Sequence, residues 1–84
     1  MDEIYYIYVL QSQKDDNIYI GITNNLERRL KQHNAGKNIS TKYRNPFKLI
    51  YNEKYKNRVE ARKREKFLKS GCGREWIKEE ILRR

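Results

Sequence analysis

Residues 4–23 read IYYIYVLQSQKDDNIYIGIT, and this stretch decides the fold of the chain. Residues 4–10 and 17–23 alternate between two sets of side chains and are rich in β-branched and aromatic types, which predicts two strands. The polar residues from Ser12 to Asp16 lie between them and predict a turn. The chain is therefore expected to begin with a β-hairpin.

The expected register of this hairpin separates two faces. With a turn that closes over residues 12–15, Tyr8 lies opposite Tyr19 and Tyr6 lies opposite Gly21. Alternation then collects Ile and Val side chains on the other face, which we expect to be the core face. Cross-strand aromatic packing is one explanation of the tyrosines. Gly21 favours a second explanation, because a glycine inside a strand often marks close approach by a ligand or another backbone.

The remaining elements follow from helix-capping residues and from glycines that stop helices. Their order, ββαβαα, predicts an α+β fold with a small, mostly antiparallel three-stranded sheet and flanking helices, as one domain over residues 1–84. The predicted elements after the hairpin are a helix from Asn24 or Asn25 to about Asn34, a basic loop from Lys37 to Asn45, a strand from Phe47 to Tyr51 or a little beyond, a helix from Asn57 to before Gly71, and a short helix from Arg74 to Leu82.

Arg29 and His33 lie one turn apart on the first predicted helix. At about 100° per residue both fall roughly within 60° of Leu26, on the stripe that faces the sheet, whereas Arg28 is expected to point to solvent. A charge buried without partners is costly, so this pair needs an explanation. A snorkelling arginine beside a satisfied core histidine is one explanation. A polar site that also receives the strand tyrosines is the other.

The second predicted helix contributes one candidate carboxylate, Glu65. It lies four residues after Ala61 and three before Leu68, at the edge of the apolar stripe of the helix. Glu60 is the rival, but its place near the helix start gives it a capping role. Spacing therefore favours Glu65 as the acid of the candidate site.

The charge of the chain is unevenly distributed. The formal net charge is +9, and of the 20 Lys and Arg residues only Lys14 precedes Arg28. A field of this sign attracts polyanions, of which nucleic acid is the usual one, although many cations simply solvate helix faces. We expect the cations of the basic loop to contact nucleic acid; these are Lys37, Lys42, Arg44 and Lys48.

Cysteine content and hydropathy limit where the chain works. A single cysteine, Cys72, allows no internal disulfide, so a reducing cytoplasm is the expected compartment. No apolar run approaches the ~20 residues of a membrane span, so no membrane partner is expected.

In these features the chain resembles the GIY-YIG nuclease domain family, specifically its small stand-alone members, and it is similar to the nuclease domain of the excision-repair endonuclease UvrC. The two signatures of the family match Tyr6-Ile7-Tyr8 and Tyr19-Ile20-Gly21. The helix arginine of the family matches Arg29, and the His or Tyr one turn later matches His33. The metal-binding glutamate of the family matches Glu65.

The resemblance implies a divalent-metal endonuclease that hydrolyses DNA phosphodiester bonds, selective for DNA structure and linked to repair or recombination. It implies that Glu65 binds Mg²⁺ or Mn²⁺ and that Arg29 forks onto the scissile phosphate. Tyr8 would act as the general base for water, or relay to it. The further assignments are that His33 orients Tyr8 or takes its proton, that Tyr19 positions phosphate or water, and that Gly21 keeps the floor of the site open.

The chain departs from the family pattern at two points, of which one keeps other functions open. The glycine of the first signature is Tyr6 here, a swap that the small stand-alone members tolerate. No asparagine follows Asn57, although the family has one late in the chain, and this absence leaves catalytic competence open. The alternative is therefore a catalytically weak or inactive nucleic-acid-binding module that keeps the nuclease fold and shows salt-sensitive binding without turnover. A third hypothesis is a protein-interaction domain whose charge serves solubility.

Overall fold

A computed structural model describes residues 4–37 and 42–83, so that residues 38–41 of the predicted basic loop lie outside the described residues. The predicted α+β class and the order ββαβαα are confirmed. The elements are β1 (Tyr5–Ser12), β2 (Ile18–Thr23), α1 (Leu26–Asn34), β3 (Phe47–Tyr55), α2 (Arg58–Lys69) and α3 (Gly71–Ile77), which continues as a π-helical segment (Lys78–Leu82).

The three strands form one sheet in the order β2-β1-β3, and the central strand β1 pairs antiparallel with both neighbours. The predicted small antiparallel sheet is therefore confirmed, with β2 at one edge. Between β1 and β3 the pairing passes from Val9–Tyr51 to Leu10–Leu49, which leaves Ile50 as the extra residue of a β-bulge.

The predicted register of the hairpin is wrong by two residues. Tyr8 lies opposite Gly21, not opposite Tyr19. Tyr6 lies opposite Thr23. Because side chains alternate with a period of two, a shift of two residues keeps every side chain on its predicted face.

The hydrogen bonds of the turn explain this shift. The Ser12 amide donates to the Asn17 carbonyl at 2.9 Å, and the Ser12 hydroxyl oxygen accepts from the amides of Lys14 at 3.1 Å and Asp15 at 3.3 Å. Asp16 has a φ of 62°, a left-handed conformation that aspartate tolerates better than most residues. The turn therefore spans residues 13–17 instead of closing over residues 12–15.

Both faces of the sheet carry a buried core, whereas the sequence predicted only the aliphatic one. On the phenol face, Leu26 and Leu30 of α1 pack against the strands, so this face is covered as well. As a result α1 and α2 lie on opposite faces of the sheet. The buried core on the aliphatic face is Ile7, Val9, Ile20, Ala61, Leu68 and Ile77, and that on the phenol face is Tyr8, Leu10 and Phe47.

The first two helices begin at the asparagines that the sequence indicates. The side-chain oxygen of Asn25 accepts from the Arg28 amide at 3.0 Å, and that of Asn57 accepts from the Glu60 amide at 2.9 Å. The first helix is followed by Gly36 at a φ of +74°, as expected of a stop signal. Within residues 4–37 and 42–83, every helix is too short or too polar to cross a membrane.

The last helix begins at Gly71, three residues earlier than the predicted Arg74. The reason is Ser70, whose hydroxyl oxygen accepts from the Gly73 amide at 3.2 Å and so caps the new helix. Gly73 is buried at the corner between α2 and α3. A Cβ atom there would lie 1.9 Å from the Phe67 carbonyl oxygen, so only glycine fits.

Candidate functional site

A pocket of about 390 Å³ opens at the edge strand β2, with residues of α1 and of α2 in its wall. The structure thus brings together every site residue predicted around the tyrosines except His33, which lies buried behind the wall. Oxygen- and nitrogen-bearing side chains dominate the lining. The lining residues are Tyr5, Tyr8, Tyr19, Gly21, Ile22, Thr23, Asn24, Arg28, Arg29, Gln32, Arg58, Arg62 and Glu65.

The Tyr8 hydroxyl is the centre of a polar cluster, here named the Tyr8 cluster and formed by Tyr8, Tyr19, Arg29 and His33. Arg29 Nε donates to Tyr8 Oη at 3.2 Å. Tyr8 Oη also lies 3.2 Å from His33 Nε2. The rings of Tyr19 and His33 meet edge to face, with centroids 4.8 Å apart. One phenol oxygen is therefore held between a guanidinium and an imidazole.

Gly21 admits the Tyr8 side chain to the pocket. It lies directly opposite Tyr8 in the neighbouring strand. A Cβ atom at Gly21 would lie 2.3 Å from Tyr8 Oη and 2.5 Å from Cζ, far inside van der Waals contact. The phenol ring therefore crosses β2 only because this strand position has no side chain.

Burial sets the protonation states within the Tyr8 cluster. Burial raises the pKa of Tyr8 above its ordinary value of 10.0, although the hydrogen bond and the charge of Arg29 oppose this. His33 is 0% exposed. Burial, together with the charge of Arg29, lowers its pKa from 6.5 to about 4. At neutral pH the phenol is therefore protonated and the imidazole neutral, which leaves Arg29 as the cation of the cluster.

Glu65 supplies the carboxylate of the pocket from α2. Its side chain is only 14% exposed and accepts a hydrogen bond from Lys69 Nζ at 3.1 Å. The charge of Glu65 raises the pKa of Tyr8, but its influence is smaller than those of burial, Arg29 and Tyr19. The predicted carboxylate thus shares the pocket with the Tyr8 hydroxyl.

The ligand atoms of the pocket suit a metal ion whose remaining ligands come from water and the substrate. Among the described residues that line it, Glu65 is the only carboxylate, and no cluster of three His, Cys, Asp or Glu residues suited to a metal occurs in the described parts of the chain. Mg²⁺ is commonly held by one or two carboxylates together with water and substrate phosphates. One such ion therefore suits Glu65, whereas a two-metal clamp lacks ligands here.

Among the described residues four arginines from two helices line the pocket. The sequence predicted only Arg29 as a site residue, and it predicted a solvated or phosphate-facing surface for Arg58 and Arg62. Arg28 is exposed as predicted, yet it donates to the Asn24 side chain at 3.2 Å and lines the pocket. Arg58 and Arg62 reach it from α2. Positions three and seven residues before Glu65 share its side of a helix, so helical spacing could have placed both arginines beside it.

The cations of the basic loop lie elsewhere. All four, here named the loop cations, are exposed, and among the described residues none of them lines the pocket. Arg44 Nε lies 3.8 Å from the Asp15 carboxylate, and Lys42 Nζ lies 5.4 Å from the Tyr43 ring centroid. Their role in binding nucleic acid stays a prediction. The loop cations are Lys37, Lys42, Arg44 and Lys48, of which Lys48 lies in β3 just after the loop.

A second polar cluster, which the sequence did not predict, lies on the aliphatic face of the sheet. This Glu53 cluster comprises Tyr51, Glu53, Tyr55 and Arg64. Arg64 Nε and Nη2 donate to the Glu53 carboxylate at 2.9 Å and 3.0 Å. The hydroxyls of Tyr51 and Tyr55 donate to the same carboxylate. Residues two apart in a strand share a face, so the three side chains lie on one face of β3. The spacing Tyr51-x-Glu53-x-Tyr55 could therefore have predicted this cluster from the sequence.

Hydrogen bonding sets the pKa values in the Glu53 cluster. Burial alone would raise the pKa of Glu53, but hydrogen bonds from Arg64, Tyr51 and Tyr55 lower it below 4.5. Burial and the hydrogen bond to Glu53 raise the pKa of Tyr55 to about 12. Arg64 also stacks over the Trp76 ring, 4.8 Å from its centroid. The polar groups of this cluster thus bind one another.

Comparison with known proteins identifies the family. The model of the GIY-YIG catalytic domain matches residues 4–76. A UPF0213 protein of Oceanobacillus iheyensis is 44% identical over 66 residues, which are 77% of this chain and 76% of that protein. A UPF0213 protein of Clostridium perfringens is 46% identical over 65 residues, or 76% and 69% of the two chains.

A solved structure supports the same assignment. The solution NMR structure of the UPF0213 protein BH0048 from Bacillus halodurans is similar with a TM-score of 0.55 and 32% identity, and the match covers 88% of this chain and 81% of that one. The names of these relatives state no activity. The family model implies a nuclease-type hydrolase with a nucleic-acid substrate at the level of the family. The chain therefore belongs to the GIY-YIG family.

Proposed function

We propose that this chain is an endonuclease that hydrolyses DNA phosphodiester bonds with the help of Mg²⁺ or Mn²⁺. The observation that carries the proposal is the pocket at β2, which is lined by Tyr8, Arg29 and Glu65 together. The proposal goes beyond what family membership shows in its choice of DNA and of these metals. It also includes a preference for branched or flapped substrates and a link to repair or recombination in the cytoplasm.

Arg29 is proposed to bind the scissile phosphate. Its guanidinium carries five N–H donors in a planar fork, which suits two phosphate oxygens at once. It already holds the Tyr8 hydroxyl through Nε and the Gln32 side-chain oxygen through Nη1, both at 3.2 Å. These contacts fix the orientation of the fork and leave donors for the substrate. Arg29 would then neutralise the charge that develops on phosphorus oxygens during hydrolysis.

Tyr8 is proposed to lose its own proton to the solvent of the open pocket and, as the phenolate, to accept a proton from the attacking water, with His33 as a positioning residue. The pKa of Tyr8 lies above 10, whereas that of His33 is about 4. Full proton transfer from phenol to imidazole is therefore strongly unfavourable. A neutral His33 can instead accept from the phenol hydroxyl or, in its other tautomer, donate to the phenolate oxygen. It thus orients Tyr8 in both protonation states without becoming charged.

Glu65 is proposed to hold the metal ion, with water and substrate phosphate as the other ligands. When bound, such an ion supplies positive charge that favours the phenolate form of Tyr8 and stabilises the leaving oxygen. Lys69 donates to the Glu65 carboxylate at 3.1 Å and keeps it oriented. Tyr19, whose ring packs against His33, would position the phosphate or the water.

A nucleic-acid-binding module without turnover is the second candidate function. The observation that favours it is the raised pKa of Tyr8, because a general base works best when its pKa lies near the working pH. Both candidates predict nucleic-acid binding, so only cleavage separates them.

The decisive experiment compares Glu65→Gln with Glu60→Gln, an exposed carboxylate on the same helix. We expect the wild type to cut flapped or single-stranded DNA in Mg²⁺ or Mn²⁺ and to stop in EDTA. Loss of the metal ligand should lower single-turnover cleavage on the order of 10³-fold, since metal catalysis contributes several kcal/mol. Thermal unfolding should be unchanged, and Glu60→Gln should cut normally.

The two ways to fail have different meanings. Wild-type protein that binds these substrates but cuts none of them supports the binding module. A Glu65→Gln variant that cuts as fast as the wild type would remove this carboxylate from the reaction centre.

A further inference from the structure

One side of α2 carries a row of cations beside the pocket. Arg58, Arg62 and Lys66, here named the α2 stripe, are spaced four residues apart and therefore lie one above another on the helix. All three are exposed. Within residues 4–37 and 42–83 none of them forms an ion pair, whereas their neighbour Lys63 approaches Glu60 at 3.8 Å.

The α2 stripe continues the pocket into a second depression. This depression has a volume of about 400 Å³ and is lined by the whole stripe together with Val59 and Lys63. Arg58 and Arg62 line both depressions, so the two are neighbours with these arginines between them. A chain-like ligand that enters one depression can thus pass into the other without leaving positive surface.

We infer that the α2 stripe is a phosphate track, which binds the backbone of the nucleic-acid strand on one side of the scissile bond. The inference rests on the proposed function and names the surface that delivers its substrate. At 1.5 Å per residue the stripe is about 12 Å long, close to the axial rise of roughly three or four nucleotides of one strand. Backbone phosphates are its matching partner because they repeat along a line.

A merely solvated helix face explains the stripe less well. The exposed cations Lys63 and Lys69 of the same helix have carboxylate partners in Glu60 and Glu65, but the stripe has none among the described residues. Val59 is 65% exposed and lines the second depression together with these cations. An apolar side chain among cations suits the alternating sugar and phosphate surface of a nucleic-acid backbone.

The test removes the stripe and compares it with an equal change of charge elsewhere. The triple variant Arg58→Gln, Arg62→Gln, Lys66→Gln is matched by Lys14→Gln, Lys78→Gln, Arg83→Gln, whose residues line neither depression. Binding of a fluorescein-labelled single-stranded DNA oligonucleotide is followed by anisotropy in EDTA, between 50 and 300 mM salt. EDTA keeps the measurement independent of cleavage.

Loss of three phosphate contacts should reduce the slope of log K against log salt by about 2, at ~0.7 per phosphate of a single strand. If counterion release is the whole effect, affinity at 0.1 M salt falls roughly 100-fold. The control triple variant should keep the wild-type slope to within ~0.7, the contribution of one phosphate contact. Circular dichroism should report the same helix content for all three proteins.

Each outcome decides one idea. Equal losses in the two triple variants would show that net charge alone attracts the oligonucleotide and would overturn the track, as would an unchanged slope in the stripe variant. If the stripe variant unfolds, Arg62→Gln alone should still lower the slope by about 0.7. A wild-type chain that binds through the stripe but never cuts DNA would leave the track standing and sink the proposed nuclease.

Discussion

The Tyr8 cluster and the Glu53 cluster are made of nearly the same parts on opposite faces of one sheet. Each joins two tyrosines to one arginine, and each is completed by one further ionisable residue. In the Glu53 cluster that residue is a carboxylate that receives hydrogen bonds from both phenols and from Arg64. In the Tyr8 cluster it is a neutral imidazole, and the carboxylate of Glu65 is not part of the cluster but lines the same pocket.

The difference lies in where the hydrogen bonds end. The Glu53 cluster pairs its opposite charges internally, and its carboxylate side chain is only 16% exposed. The Tyr8 cluster holds one cation, Arg29, and a neutral phenol. The counter-charge of Arg29 therefore has to come from outside the cluster. Residue types alone therefore do not mark a reaction site. A site is marked by charge and hydrogen-bonding capacity that the protein leaves for a ligand.

The largest expected effect separates the two clusters by activity. Tyr8→Phe should lower DNA cleavage on the order of 10³-fold, because it removes the oxygen proposed to accept the proton of water. Tyr55→Phe removes an equivalent hydroxyl from the Glu53 cluster and should leave cleavage within about twofold, with roughly 1 kcal/mol less stability. Single-turnover cleavage and urea unfolding measure both. Equal loss of cleavage in the two variants would erase the functional distinction.

The second effect separates the clusters by pH. His33 is neutral in the folded chain, with a pKa of about 4 against 6.5 when unfolded. The unfolded state binds the extra proton, so stability should fall by about 3 kcal/mol as the pH drops from 6.5 to 4. Glu53 has a lowered pKa, so its contribution is lost only as the pH falls below 4.5.

Urea unfolding of wild type and His33→Gln across this pH range checks the assignment. The variant should lack most of the loss between pH 6.5 and 4.5 and keep the loss below pH 4.5. An identical profile for both proteins would mean that another group titrates there.

The third effect concerns the Glu53 cluster alone. Glu53→Gln leaves Arg64 without its counter-charge in a half-buried position, which should lower the free energy of unfolding by about 2 kcal/mol. Glu79→Gln breaks the exposed pair with Arg83 and should change stability by less than about 0.5 kcal/mol. Cleavage by folded Glu53→Gln protein should match the wild type, and a loss of cleavage without a loss of stability would contradict the structural role.

The smallest effect concerns the loop cations. If all four are changed to Gln, affinity for single-stranded DNA should fall less than about tenfold at 0.1 M salt, with a change of slope near 1. They lie outside both depressions, so they can meet only the outer phosphates. Anisotropy titrations measure this directly. A larger loss than that of the α2 stripe variant would make the loop the main binding surface.

The sequence predicted which side chains share a face better than it predicted which residues pair. Alternation in β1 and β2 fixes the two faces, and a shift of two residues leaves them unchanged. The register depended instead on the bonds of Ser12 to the turn and on the left-handed Asp16, which alternation does not encode. The order β2-β1-β3 likewise depended on tertiary pairing.

For the site, helical spacing placed Arg29 and His33 on the face that meets the sheet, because an apolar stripe defines that face. The spacing could not show that α2 lies on the opposite face, nor that its arginines reach the same pocket around an edge strand. The sequence did not predict the Glu53 cluster, because the third strand was expected to end at Tyr51 or a little beyond, whereas β3 continues to Tyr55.

The order of the pocket residues along the chain has a consequence for the growing polypeptide. Hairpin and first helix emerge early from the ribosome and already contain both phenols, the imidazole and Arg29. Glu65 is the pocket residue nearest the carboxyl end and is synthesised last. On the proposed function, an unfinished chain would consequently lack the metal ligand, and cleavage of nucleic acid would have to await a completed, folded molecule.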